Sequence, residues 1–182
     1  LAATAARGFG ETHFQQMQLS RYVSPIIAIC VDGLTPGAPG GTVSIYKDGR
    51  PRLNYTITPV LQEAFLAAHH AMAKVHFAAG CEMAYTFHEE PLRLQSLADS
   101  AGLDSLPYGN LDLSVFSAHQ MGGCSLGSNP ETSVVNSKLQ HHQIPNLFVV
   151  DGSVFPTALG VNPSLTIYGL ASLASTFVGE AV

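Results

Sequence analysis

Between Pro163 and Phe177 no side chain carries a charge, and apolar residues fall on every side of a 3.6-residue period. A helix without a polar face must be wrapped in apolar material. A membrane span would need ~20 apolar residues, and this stretch is shorter and interrupted by Ser164, Thr166, Ser172, Ser175 and Thr176. It therefore predicts a helix buried in protein on all faces, and more protein than the chain obviously supplies. Composition points the same way. Charged residues make up 12 % of the 182 residues, against roughly 25 % in an average globular domain.

The sign of those charges closes other routes. Lys and Arg number 8 against 13 acids, for a net charge of −5. No basic stripe for nucleic acid exists, and an anionic membrane surface is a poor match. An apolar content of 46 % excludes disorder. The length suits one domain or two small ones. Cys30, Cys81 and Cys124 are odd in number and widely spaced, which suits neither a disulfide framework nor a zinc site. A reducing, cytoplasmic compartment is the expectation. Leu1–Gly10 lacks the basic flank and apolar core of a signal peptide, and the missing initiator Met suggests a chain cut from a longer one.

Several elements are legible. Pro25–Val31 is a β-branched run that predicts a buried strand. Gly33–Gly41 is a Gly/Pro loop. Thr42–Thr58 alternates as a hairpin around Asp48-Gly49, a type I′ signal. Asn54-Tyr55-Thr56 matches a glycosylation sequon and is read as incidental within a strand. Thr58-Pro59 opens a helix whose apolar positions run from Leu61 to Ala79, and Gly80 stops it. Strands are predicted at Cys81–Phe87, Leu111–Ser117 and Leu147–Val150, with a short helix at Leu92–Ala101. Gly122–Asn129 and Pro156–Asn162 read as loops, and Pro163–Phe177 as the last helix.

The histidines divide. His69, His70 and His76 lie on the long helix at spacings that suit its surface better than a metal. His88-Glu89-Glu90 lacks a second His at zincin spacing, and the adjacent His141 and His142 diverge in direction. No metal site is expected. His119 is different: it ends an alternating segment and precedes freed backbone at Gly122-Gly123, which suits a residue facing a cleft. Asp151-Gly152 follows the strand at 147–150, where α/β sheets bind ligands. Asn162-Pro163-Ser164 opens the last helix, whose free N–H groups favour negative charge. Gly123-Cys124-Ser125-Leu126-Gly127 also matches the G-x-S-x-G elbow of serine hydrolases, with Ser125 as nucleophile and Asp151 as acid, but no His follows Asp151.

Three segments together, SAHQMGGCSLG at 117–127, NLFVVDGSVFP at 146–156 and GVNPSLTI at 160–167, resemble the carboxyl-terminal signature of the glucose–methanol–choline (GMC) oxidoreductases. These are FAD-dependent alcohol oxidases and dehydrogenases. The resemblance implies an α+β fold. Residues 1–116 would be part of a substrate-binding domain, an antiparallel or mixed sheet with covering helices. Residues 117–182 would hold the catalytic segment and the carboxyl-terminal strand and helix of a Rossmann-like FAD-binding domain. It implies His119 and Asn162 as catalytic residues. Asp151 and Gly152 would meet the ribityl and phosphate region of FAD, and Pro163, Ser164 and Leu165 the flavin ring. An alcohol substrate and the amino-terminal FAD-binding half of the same enzyme follow as partners. The family's G-x-G-x-x-G is missing, since Gly8-Phe9-Gly10-Glu11-Thr12-His13 fails at the third glycine. The expectation is a carboxyl-terminal portion of a longer enzyme. The alternatives are a serine hydrolase using Ser125 and a noncatalytic binding module.

Overall fold

Residues 8–34 and 40–181 are described by the computed structural model. Their helices are α1 (Glu11–Gln18), α2 (Pro59–Ala78) and α3 (Ser164–Ala181), with 3₁₀ turns at Ser20–Tyr22, Leu97–Ser105 and Gly152–Val154. Strands β1 (Gly41–Ile45) and β2 (Pro51–Tyr55) form one antiparallel pair, and β3 (Ala84–Tyr85) and β4 (Arg93–Leu94) another. The chain is therefore α+β. No helix of the described residues is long and apolar enough to cross a membrane.

The ends of α2 follow from local chemistry. Thr58 Oγ1 accepts the Leu61 N–H at 3.3 Å, and Pro59 occupies the first turn, where a missing N–H costs nothing. At the other end Gly80 adopts φ +83°. Its N–H donates to the Phe77 carbonyl and the Cys81 N–H to the His76 carbonyl, a Schellman closure.

The described residues form two compact units. One holds those up to Cys30 and from 40 to Phe116; the other holds 31–34 and Ser117 onward. In the first unit α2 packs on the 3₁₀ helix Leu97–Ser105, and Leu61, Ala73, Leu94, Leu103, Tyr108 and Leu113 are buried. The hairpin pairs Val43 with Leu53 and Gly41 with Tyr55. Its turn is a three-residue loop and not type I′, because only Gly49 is left-handed, at φ +84°. Asp48 holds that loop: its carboxylate accepts the Arg50 N–H at 3.2 Å and pairs with the Arg50 guanidinium at 2.7 Å. In the second unit Val135, Leu139, Val154 and Ala174 form the core, with Val134, Val149, Val150 and Leu170 packed on it.

Most of the expected strands are shorter than predicted or missing. The Pro25–Val31 run pairs with nothing as a strand, and Ile27 and Ile29 are more than half exposed. Cys81–Phe87 yields only β3. Leu92–Ala101 is not a helix from its start: Arg93 and Leu94 are taken by β4, and the 3₁₀ helix begins at Leu97 behind a Ser96–Asp99 capping box. Leu111–Ser117 is broken by Leu111 at φ +70°, leaving one bridge from Leu113 to His88. Phe148–Val150 is half-buried, Leu147 is exposed, and the segment makes one bridge, Phe148 to Gln140. The last helix runs beyond Phe177 to Ala181 and is not covered all round. Ala174 is buried, but Leu165 is 81 % and Tyr168 70 % exposed.

Candidate active site

The turn after His119 is shaped by glycine. Gly122 and Gly123 lie at φ +83° and +98°, a region that side chains with a Cβ rarely enter. The chain then runs alongside residues 152–154. Gly122 N–H donates to the Gly152 carbonyl at 3.3 Å, Cys124 to Ser153 at 3.0 Å, and Leu126 to Val154 at 2.8 Å. Gly152 is buried, and a Cβ on it would lie 2.9 Å from the Gln120 carbonyl oxygen and 3.5 Å from Ile167 Cδ1. Thus the residue next to His119, the 151–154 turn and helix α3 converge on one glycine that has no room for a side chain.

Asp151 heads the turn. Its Oδ1 accepts the Ser153 N–H at 2.8 Å, and hydrogen bonds from Ser153 hold the carboxyl below the usual carboxylate range. Asp151 is exposed and therefore negative at neutral pH. Pro163 is buried and its carbonyl accepts the Ile167 N–H at 2.9 Å, the first bond of α3. The N–H groups of Ser164, Leu165 and Thr166 consequently have no acceptor inside the helix. His119 is half-buried and Asn162 exposed, and neither side chain hydrogen-bonds to another described residue.

The hydrolase reading loses its framework. No strand precedes Gly123–Gly127 and no helix follows it. The Ser125 carbonyl accepts N–H groups from Val134 and Val135, and Asp151 is engaged by Ser153, with no His after it in the sequence. Among the described residues no group of three His, Cys, Asp or Glu side chains could hold a metal.

Sequence reasoning missed two features. One is Gln120, whose Nε2 donates to the Ser117 carbonyl at 2.6 Å across the His119 turn. The other is an aromatic cluster in the first unit. His69 is not a surface residue: its ring centroid lies 5.3 Å from His88 and 5.4 Å from Tyr108, and its Nδ1 lies 2.8 Å from the Phe65 carbonyl. His88 is 2 % exposed, and its ring nitrogens lack hydrogen-bond partners of ordinary geometry. Burial lowers the pKa of both histidines, and it pushes the Tyr108 phenol up to about 12. Both rings are therefore neutral at pH 7. A spacing signal could not reveal this, because 69, 88 and 108 meet only through the fold.

Comparison with known proteins agrees with the signature. A family model described as GMC oxidoreductase matches residues 38–171. A long-chain-alcohol oxidase of Arabidopsis thaliana is 35 % identical over 132 residues, covering 68 % of this chain and 18 % of that protein. A cholesterol oxidase of Acinetobacter baumannii is 49 % identical over 63 residues, 35 % of this chain and 11 % of its own length. A 2-methyl-1,2-propanediol dehydrogenase of Mycolicibacterium austroafricanum is 50 % identical over 62 residues, 34 % of this chain and 11 % of its own. The chain thus spans less than a fifth of the length of each of these three relatives.

Proposed function

The chain belongs to the GMC oxidoreductases, and from that premise we propose that it is the carboxyl-terminal, catalytic part of a flavin-dependent enzyme that oxidises an alcohol. The observation that carries this reading is the convergence on Gly152 of the His119 turn, the Asp151 turn and helix α3. Residues 1–116 belong, on this reading, to the substrate-binding domain, and 117–182 to the catalytic segment and the end of the FAD-binding domain. The amino-terminal FAD-binding half is the partner.

The residues present fit a flavin. The exposed Asp151 carboxylate can accept hydroxyl hydrogen bonds from a ribityl chain, and exposed Val161 and Leu165 lie on either side of Pro163 as an apolar seat for a ring. When bound, the flavin supplies the acceptor for the carbinol hydride. The His119 imidazole takes the hydroxyl proton of the alcohol. The Asn162 amide hydrogen-bonds the same oxygen and fixes its orientation. The free N–H groups at Ser164, Leu165 and Thr166 stabilise negative charge developing against them. One such donor is commonly worth ~2–4 kcal/mol, so its loss slows a reaction ~10²–10³-fold. The relatives' named alcohols, long-chain, sterol and branched diol, are the substrate classes to assay first.

In the full-length enzyme, His119→Ala should abolish alcohol-driven flavin reduction while FAD stays bound. Asn162→Ala should slow reduction by about tenfold or more, again with FAD retained. Normal reduction in the His119→Ala enzyme overturns the assignment.

A further inference from the structure

The loop that delivers Asn162 is gripped by a segment more than a hundred residues earlier. Thr157 Oγ1 donates a hydrogen bond to the Gly33 carbonyl. A Cβ on Gly33 would lie 2.9 Å from the Ala158 backbone nitrogen and 3.2 Å from Ala158 Cβ. The first of those atoms is main chain, so a side chain at 33 could be admitted only by moving the loop. One residue on, Leu34 Cδ1 sits 3.4 Å from the Cβ position of Gly160, which itself adopts φ +73°. The 33–34 segment therefore touches 157, 158 and 160 in turn. Past Asn162 the loop enters buried Pro163 and the first bond of α3. Asn162 thus hangs between a clasp and a helix. Its own side chain makes no hydrogen bond to the described residues, so the path of the backbone is what orients it among them.

We propose that Thr157 and Gly33 are positioning residues that aim Asn162 at the reacting oxygen. The proposal rests on the role given to Asn162 above. Orientation is the sensitive quantity in such a site, where a displacement of ~1 Å costs on the order of 10²-fold in rate. Thr157 is exposed, so removing its bond should change rate much more than melting temperature.

A double-mutant cycle on the full-length, FAD-loaded enzyme tests this. Thr157→Val removes the donor and keeps the shape; Thr157→Ser keeps the donor; Gly33→Ala pushes on the loop. Single-turnover reduction by a saturating alcohol should slow about tenfold in Thr157→Val and in Gly33→Ala, with KM little changed. Thr157→Ser should restore the rate. In an Asn162→Ala background Thr157→Val should cause no further loss. Independently of turnover, amides 158–162 should exchange with deuterium faster in Thr157→Val and at the parental rate in Thr157→Ser. Additive effects of Thr157→Val and Asn162→Ala, failed rescue by Ser, or unchanged exchange each overturn the clasp. A neutral Asn162→Ala overturns the role of Asn162 itself, a separate outcome.

Discussion

At the scale of single residues, His88 has a clear consequence for acid stability. Its buried ring disfavours the imidazolium, and the neighbouring His69 adds to the same effect. An unfolded histidine titrates near ~6.5, so below that pH the unfolded chain takes up protons that the folded one refuses. Stability is full above that pH and falls as pH drops through it, by up to ~1.4 kcal/mol per pH unit for one excluded proton. The melting temperature of the full-length enzyme should therefore decline between pH 7 and pH 5, and His88→Phe should flatten that decline. An unchanged slope in the variant would reject the account. His119, Asp151 and Asn162 could be singled out from the sequence as candidates because glycine and proline mark the backbone around each. His88 could not, because a histidine beside Glu89 and Glu90 gives no sign of its burial, and its partners lie 19 and 20 positions away.

At the scale of elements, helix ends and the local hairpin β1–β2 were readable, and strands with distant partners were not. Thr58 and Gly80 act on backbone groups within a few residues, so their meaning is local. Thr58→Ala should cost about 1 kcal/mol and Gly80→Ala, at φ +83°, about 1–2 kcal/mol. The two should add, since they lie at opposite ends of α2. Denaturant unfolding of the single and double variants checks both. A strand needs a distant partner, and apolar alternation at Pro25–Val31 or Leu111–Ser117 cannot say whether one is there. Helix α3 was recognised from its period, but its burial was inferred from composition, and Leu165 and Tyr168 are largely exposed.

At the scale of the whole molecule, the scarcity of charge meets its structural counterpart. The hairpin presents Val43, Ile45 and Leu53 at 70–75 % exposure on one face of β1–β2, and α3 presents Leu165 and Tyr168. Exposed apolar patches of this kind mark surfaces that associate. On the reading proposed here, the rest of the enzyme covers them. This chain by itself should bind an apolar dye, self-associate and carry no flavin absorbance. The full-length enzyme should be yellow, soluble and dye-negative. A monomeric, dye-negative chain with one cooperative melt would contradict that expectation.

Asn110 fastens β2 to α2. Its Oδ1 accepts the Ile57 N–H at 3.0 Å and its Nδ2 donates to the Tyr55 carbonyl at 3.2 Å. One amide thereby ties the last residue of the hairpin to the lead-in of the helix, across a junction that would otherwise be the obvious place to bend. Hairpin and helix should then move together. Any opening of this region must pivot elsewhere, and a protease should cut at the hairpin tip before it cuts between Tyr55 and Thr58.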